Sequence, residues 1–378
     1  MSLPAPRIFL SAGEPSGDLH GAGVARALRA RWPDATLRGL GGDLMADAGV
    51  ELIAHIDQLA VMGFVEVTHR LPYFWRLWRT VRVELRQRPP DLLILIDYPG
   101  FNLRLARAAH GAGRRVLYYI APQVWAWHRG RTRKLARWAD RIAVILPFEE
   151  PLFASAGGRP VFVGHPLLDA EPERVSREAF CTALRLDPSR PVLALFPGSR
   201  AQEIDRHLSL FIDTAREVAR ALPGVQAVIA AGAALPATTF DELAIPHTRD
   251  GWRLLDHAAA ALVKSGTSTV QAALTRTPMV VTYRMNPITW ALARRLVRVD
   301  HIGLVNLIAG SRAVPELLQA DATAPQLAGH LLPFLDLSHP ERARVVARLG
   351  AVRDALRPPG DGGRVADRVA ALAAEILA

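Results

Sequence analysis

Asp91-Leu-Leu-Ile-Leu-Ile-Asp97-Tyr-Pro-Gly-Phe-Asn102 leads into Leu103–Ala112 and then into Val116-Leu-Tyr-Tyr-Ile-Ala121. The two flanking runs are apolar at successive positions rather than at every second one. That pattern predicts strands buried on both faces. The stretch between them, rich in alanine and leucine with arginines at intervals, predicts a helix. A strand, a helix and a strand in this order form a crossover unit, which joins parallel neighbours.

Working outward, the same alternation recurs. Arg7–Ala12, Thr36–Leu40, Arg141–Leu146 and Pro160–Val163 read as further buried strands, with Gly21–Arg31 and Arg129–Trp138 as helices between them. This is the pattern of a doubly wound α/β domain. Gly164-His-Pro-Leu-Leu-Asp then opens a polar stretch around Pro172, after which strands resume at Pro191–Pro197, Val225–Ala230, Ala260–Val263 and Met279–Tyr283. The expectation is two Rossmann-like domains, residues 1–167 and 168–355. A break at Arg357-Pro-Pro-Gly-Asp-Gly-Gly sets off a last helix in 356–378.

The 378 residues exceed one ordinary core and suit two. No run approaches the roughly 18–20 apolar residues of a spanning helix. The first residues lack a signal-peptide layout, and Cys181 is the single cysteine, so a cytoplasmic protein without disulfides is expected. The net charge of +10 favours anionic partners, which include lipid and phosphorylated substrates. No zinc-finger or RNA-recognition motif is present, so nucleic acid is not expected.

Ligands of such sheets bind at the carboxyl ends of the strands. Ser11-Ala-Gly-Glu14-Pro-Ser16-Gly-Asp18-Leu-His20 follows the first strand and gathers titratable side chains beyond what a turn requires, although Ser16 and Asp18 also suit helix capping. It matches neither dinucleotide nor Walker-type phosphate loops. Asp97, directly after five apolar residues, is the first candidate for a general base, with Glu14, Asp18 and His20 as rivals. Capping serves Asp97 and Asn102 equally well on sequence grounds. Gln123 and Trp125 lie in an aromatic loop after the next strand that suits ligand or core. On a helix from Leu71, residues Phe74, Trp75 and Trp78 share a side, bordered by Arg76 and Arg79. That composition suits an anionic lipid interface as well as an amphipathic core helix.

In the second half, Gly198-Ser199-Arg200 ends one strand and Lys264-Ser265-Gly266-Thr267 ends another, each before a helix. Glycine, small hydroxyls and a helix N-terminus make a phosphate seat, and arginine clamps phosphate oxygens. Asn306, Glu316 and Gln319 follow, with Glu316 expected one residue into a helix after Pro315 and suited to accept from ribose hydroxyls. No Asp-x-Asp motif occurs, so neither a catalytic metal nor a cofactor is expected.

Taken in order, Ser11–Asp18, Ile96–Asn102, Gln123–Trp127, Val163–Pro166, Pro197–Arg200, Ser265–Thr267 and Pro315–Gln319 resemble the lipid-A-disaccharide synthases across essentially the whole chain. The resemblance implies a GT-B glycosyltransferase, two domains facing a cleft with a C-terminal helix crossing back to the first. It also implies an inverting transfer from UDP-2,3-diacylglucosamine to 2,3-diacylglucosamine 1-phosphate in lipid A (lipopolysaccharide) biosynthesis. By position, Gly198, Ser199, Arg200, Lys264, Ser265, Gly266, Thr267, Asn306, Glu316 and Gln319 would hold UDP, while Ser16, Asn102, Gln123 and Trp125 would line the acceptor. The implied setting is peripheral, on the inner face of the cytoplasmic membrane, and a homodimer stays open. Gln271 and Pro15 depart from the family's pattern, in which an acidic residue and alanine are expected. The rival readings are a UDP-sugar 2-epimerase and a non-enzymatic nucleotide-sugar or lipid-binding protein.

Overall fold

The computed structural model describes residues 5–58, 71–122, 129–232, 235–286, 290, 301–360 and 363–378, with the side chains of 71–73 and 129 left aside. It divides into two compact units: Met1–Asp169 with Arg357–Ala378, and Ala170–Leu356.

In the first unit the described strands are β1 (Arg7–Ser11), β2 (Thr36–Gly41), β3 (Glu51–His55), β4 (Leu92–Ile96), β5 (Arg115–Tyr119), β6 (Arg141–Val144) and β7 (Pro160–Phe162). They form one parallel sheet in the order β3-β2-β1-β4-β5-β6-β7. Successive residues feed opposite faces, as a strand's period of two requires. Ile8, Leu92, Ile94, Ile96 and Leu117 join one core with Val24, Leu28, Val369 and Leu372. Phe9, Leu93, Leu95 and Val116 join another with Leu77, Val81, Phe101, Leu105 and Leu135. The unbroken apolar runs of the sequence therefore reflect a sheet covered by helices on both sides. Edge strand β3, with only half-buried side chains, carried too weak a signal to be read in advance.

The last helix, Val365–Leu377, packs on the helix Pro15–Arg31 within this first unit, as the resemblance implied. Its first turn is tied down by a residue distant in sequence: the Asp169 carboxylate accepts from the N–H groups of Val365 and Ala366, at 3.0 and 3.1 Å. A carboxylate there satisfies two donors that the helix leaves unpaired and meets the positive end of its dipole.

The second unit repeats the plan with β8 (Val192–Phe196), β9 (Gln226–Ala230), β10 (His247–Thr248), β11 (Ala260–Lys264), β12 (Met279–Tyr283) and β13 (Glu316–Leu318). These form a parallel sheet in the order β10-β9-β8-β11-β12-β13. Glu316 is thus a strand residue, where a helix was expected. Pairing of Glu316–Leu318 with Val281–Tyr283 overrides the local preference of a Pro-Glu pair for a helix start.

Candidate active site

Each sheet reverses its strand order once, between β1 and β4 in the first unit and between β8 and β11 in the second. At such a switch point the two following loops diverge to opposite sides and leave a crevice. Part of the sequence-predicted set lies at these two places.

After β4 the chain takes two consecutive left-handed residues, Asp97 (φ 45°) and Tyr98 (φ 49°), before the helix Pro99–Gly111. Non-glycine residues there cost about 1–3 kcal/mol each, so neighbours must hold them. The Asp97 carbonyl accepts from Asn102 Nδ2 (2.9 Å) and from the Tyr118 hydroxyl (2.8 Å). Asn102 is fully buried, also donates to the carbonyls of Ser11 and Ile96, and accepts from Ser11 Oγ at 2.7 Å. The Tyr98 ring lies over Gly13, where an added Cβ would come within 2.3 Å of it. The bend fixes Asp97 at the sheet's ligand edge. Burial, helped by the charge of Glu14 and opposed by the Tyr98 N–H, pushes its carboxyl up to about 6. Such a group is ionised at neutral pH and basic enough to take a proton.

The rivals separate. Glu14 is exposed at the N-cap of the helix Pro15–Arg31, with Ser16 exposed in its first turn. His20 is half-buried, and burial, opposed by Asp169, lowers its pKa to about 4, so it is neutral at physiological pH. Asp18 serves the scaffold: its buried carboxylate accepts from the N–H groups of Gly42, Leu44 and Met45 at 2.7–3.1 Å and caps the helix Asp43–Asp47. Asn102, expected beside the acceptor, is the strut of the Asp97 bend. Gln123 and Trp125 lie outside the described residues.

The helix Leu71–Gln87 buries Leu77 and Val81, two positions the predicted grouping had left aside. Trp78 belongs with them, half-buried and edge-on to Phe101 at 5.8 Å. Phe74 is half-buried, whereas Trp75 is 65% exposed beside exposed Arg76 and Arg79. The aromatic residues therefore divide between core and surface, because a 3.6-residue turn points positions 75 and 78 almost 60° apart.

In the second unit, Gly198, Ser199, Arg200, Lys264, Gly266, Thr267 and Gln271 line one cavity of about 720 Å³, together with Glu203, Gly232, Arg249 and Trp252. Gly198 (φ 146°) and Gly266 (φ 155°) hold backbone that side chains disfavour. Each precedes a helix N-terminus, Ala201–Ala221 and Thr267–Leu274, where N–H groups and the dipole favour an anion. Gly232 lets the β9 loop close on Ser199, to within 2.6 Å of an added Cβ. Ser265 bonds the Ile302 carbonyl at 3.1 Å, outside that lining.

Three predicted nucleotide contacts bond internally. Glu316 Oε1 accepts from the N–H groups of Ile302 and Gly303 (2.7 and 3.0 Å), and Oε2 from Asn306 (3.0 Å). Asn306, fully buried, exchanges two bonds with the backbone of Val314. Gln319 exchanges two with Met285. Sequence reading missed Glu203, whose place in a helix's first turn looked ordinary. Arg249 and Trp252 gave no motif either.

The chain matches the family model for lipid-A-disaccharide synthetase over residues 8–348. It is 41% identical to the lipid-A-disaccharide synthase of Geobacter metallireducens, covering 100% of this chain and 98% of the relative. Among solved structures it is similar to the glycotransferase of kitacinnamycin (TM-score 0.65, 17% identity, all of both chains). It is also similar to a putative UDP-N-acetylglucosamine 2-epimerase from Listeria monocytogenes (TM-score 0.64, 13% identity, 98% and 96%). At those identities the likeness is one of GT-B fold, while the sequence match separates transferase from epimerase. The chain belongs to the lipid-A-disaccharide synthetase family.

Proposed function

We propose that this chain joins UDP-2,3-diacylglucosamine to 2,3-diacylglucosamine 1-phosphate, giving the β-1′,6-linked lipid A disaccharide 1-phosphate and UDP. The observation that carries this reading is the cavity of the second unit. Two glycine turns, two helix N-termini, Arg200 and Lys264 there favour a diphosphate.

The acceptor's 6-hydroxyl oxygen attacks the anomeric carbon of the donor. The bond from that carbon to the β-phosphate oxygen breaks, and its electron pair leaves on UDP. The hydroxyl proton passes to the Asp97 carboxylate, ionised above about pH 6. Arg200, Lys264 and the N–H groups at Thr267 meet the charge growing on the diphosphate. One displacement inverts the anomeric centre without a covalent intermediate. Asn306, Glu316 and Gln319 act indirectly, by fixing the loops around β13.

Both substrates carry acyl chains, and among the described residues no helix is long and apolar enough to cross a membrane. Trp75, with Arg76 and Arg79, supports shallow contact with an anionic lipid surface, the inner face of the cytoplasmic membrane in this reading.

Incubation with donor alone and with donor plus acceptor tests the reaction. Disaccharide and UDP should form only with both. Conversion of the donor alone to its 2-epimer would overturn the proposal, as would binding without turnover of either.

A further inference from the structure

Glu203 lies in the first turn of the helix Ala201–Ala221, yet its two carboxylate oxygens serve different loops. Oε2 accepts from the Ser199 N–H at 2.9 Å, in the loop after β8. Oε1 accepts from Lys264 Nζ at 2.7 Å, at the end of β11. Gly198 is shaped to this carboxylate's stem, since an added Cβ would stand 2.4 Å from Glu203 Cβ. Lys264 is held from a second side by the Tyr283 ring, its ammonium 5.4 Å from the centroid. Tyr283 stacks on buried His207 at 5.7 Å and 28°. The His207 Nδ1 bonds the Glu203 carbonyl (2.8 Å), and its Nε2 accepts from the Arg284 N–H (3.0 Å). The network returns to the residue from which it started.

We propose that Glu203 is the positioning residue of the nucleotide site, coupling the β8 and β11 loops and presetting Lys264 for the diphosphate. This deepens the reading of the second-unit cavity and rests on it. A lysine side chain has large rotamer freedom, and a ligand that had to order it would bind more weakly. Held between a carboxylate and an aromatic face, Lys264 keeps its direction before the nucleotide arrives. The geometry assigns Glu203 no contact with the reacting atoms.

The test is a double-mutant cycle read as UDP affinity by calorimetry, with E203Q, K264M and E203Q/K264M in the full chain. E203Q keeps an oxygen for the Ser199 N–H and removes the charge that holds Lys264. It should weaken UDP binding about 10-fold and raise the donor KM, with the acceptor KM unchanged. In the K264M background the same change should cost no more than about 2-fold. An equal loss with and without Lys264, or no loss at all, overturns the proposal while leaving the nucleotide site standing. UDP binding by K264M as tight as wild type overturns the assignment of the cavity itself. If E203Q does not fold, E203D, which shortens the reach to Lys264, takes its place in the same cycle. A loss confined to the Lys264 background then supports coupling, and an equal loss with and without Lys264, or no loss, refutes it.

Discussion

The loops after β4 and β8 hold corresponding places, each at the switch point of its own sheet, yet they are built from opposite materials. After β4, two non-glycine residues are bent into left-handed backbone and pinned by Asn102 and Tyr118, which leaves a desolvated carboxylate. After β8, glycine takes the unusual backbone without strain, and Arg200, Lys264 and Arg249 line the cavity beside it. A base needs its charge made costly, and an anion seat needs backbone N–H groups brought close. The same topology delivers both through the choice of residue at one or two positions.

The difference can be broken at either loop. Asp97→Asn keeps the shape and removes basicity, so kcat should fall at least about 1,000-fold with UDP affinity within about 2-fold. A collapse of UDP affinity instead would make Asp97 structural. Arg200→Ala should lower kcat/KM about 100-fold, close to 2.7 kcal/mol of transition-state stabilisation, and near-normal turnover would remove it from the site. Stability should move oppositely for two carboxylates of the first unit. Asp18→Ala strands three backbone N–H groups and should destabilise by about 2–4 kcal/mol in denaturant melts. Asp97→Asn should stabilise by about 1–3 kcal/mol at pH 7.5, because native Asp97 holds its proton up to about pH 6 and its ionisation above that opposes folding. That advantage should shrink as the pH falls from about 6 toward 4 and vanish near pH 3, below both native and unfolded pKa values. The smallest effects divide the helix Leu71–Gln87. Trp78→Ser should cost about 1–3 kcal/mol through its packing on Phe101. Trp75→Ser should leave the melt unchanged and reduce sedimentation with anionic vesicles. Vesicle binding indifferent to Trp75 and to salt would place any membrane contact elsewhere.

Most of the sheet architecture was legible because buried parallel strands write themselves as unbroken apolar runs. Edge strand β3, Glu51-Leu-Ile-Ala-His55, is half-buried and lacked that signature, and β13 hid behind a proline that suggested a helix. Residue type was less informative at the site. Asp18 and Asp97 both come shortly after a buried strand, but only their partners distinguish a helix cap from a desolvated acid. Asn306, Glu316 and Gln319, read as ligand contacts in the chain, also bond within the fold, which their residue types did not announce. Glu203 was invisible because Lys264, which gives it meaning, lies 61 positions away.

The pH dependence of kcat/KM for wild type and Asp97→Asn tests the central claim most directly. With UDP binding and the fold checked at each pH, the wild-type rate should decline tenfold per unit below about pH 6, as Asp97 becomes protonated. The residual rate of Asp97→Asn should show no such limb. An acid limb near pH 4 in the wild type, or one near pH 6 that persists in Asp97→Asn, would contradict the assignment of the proton to Asp97.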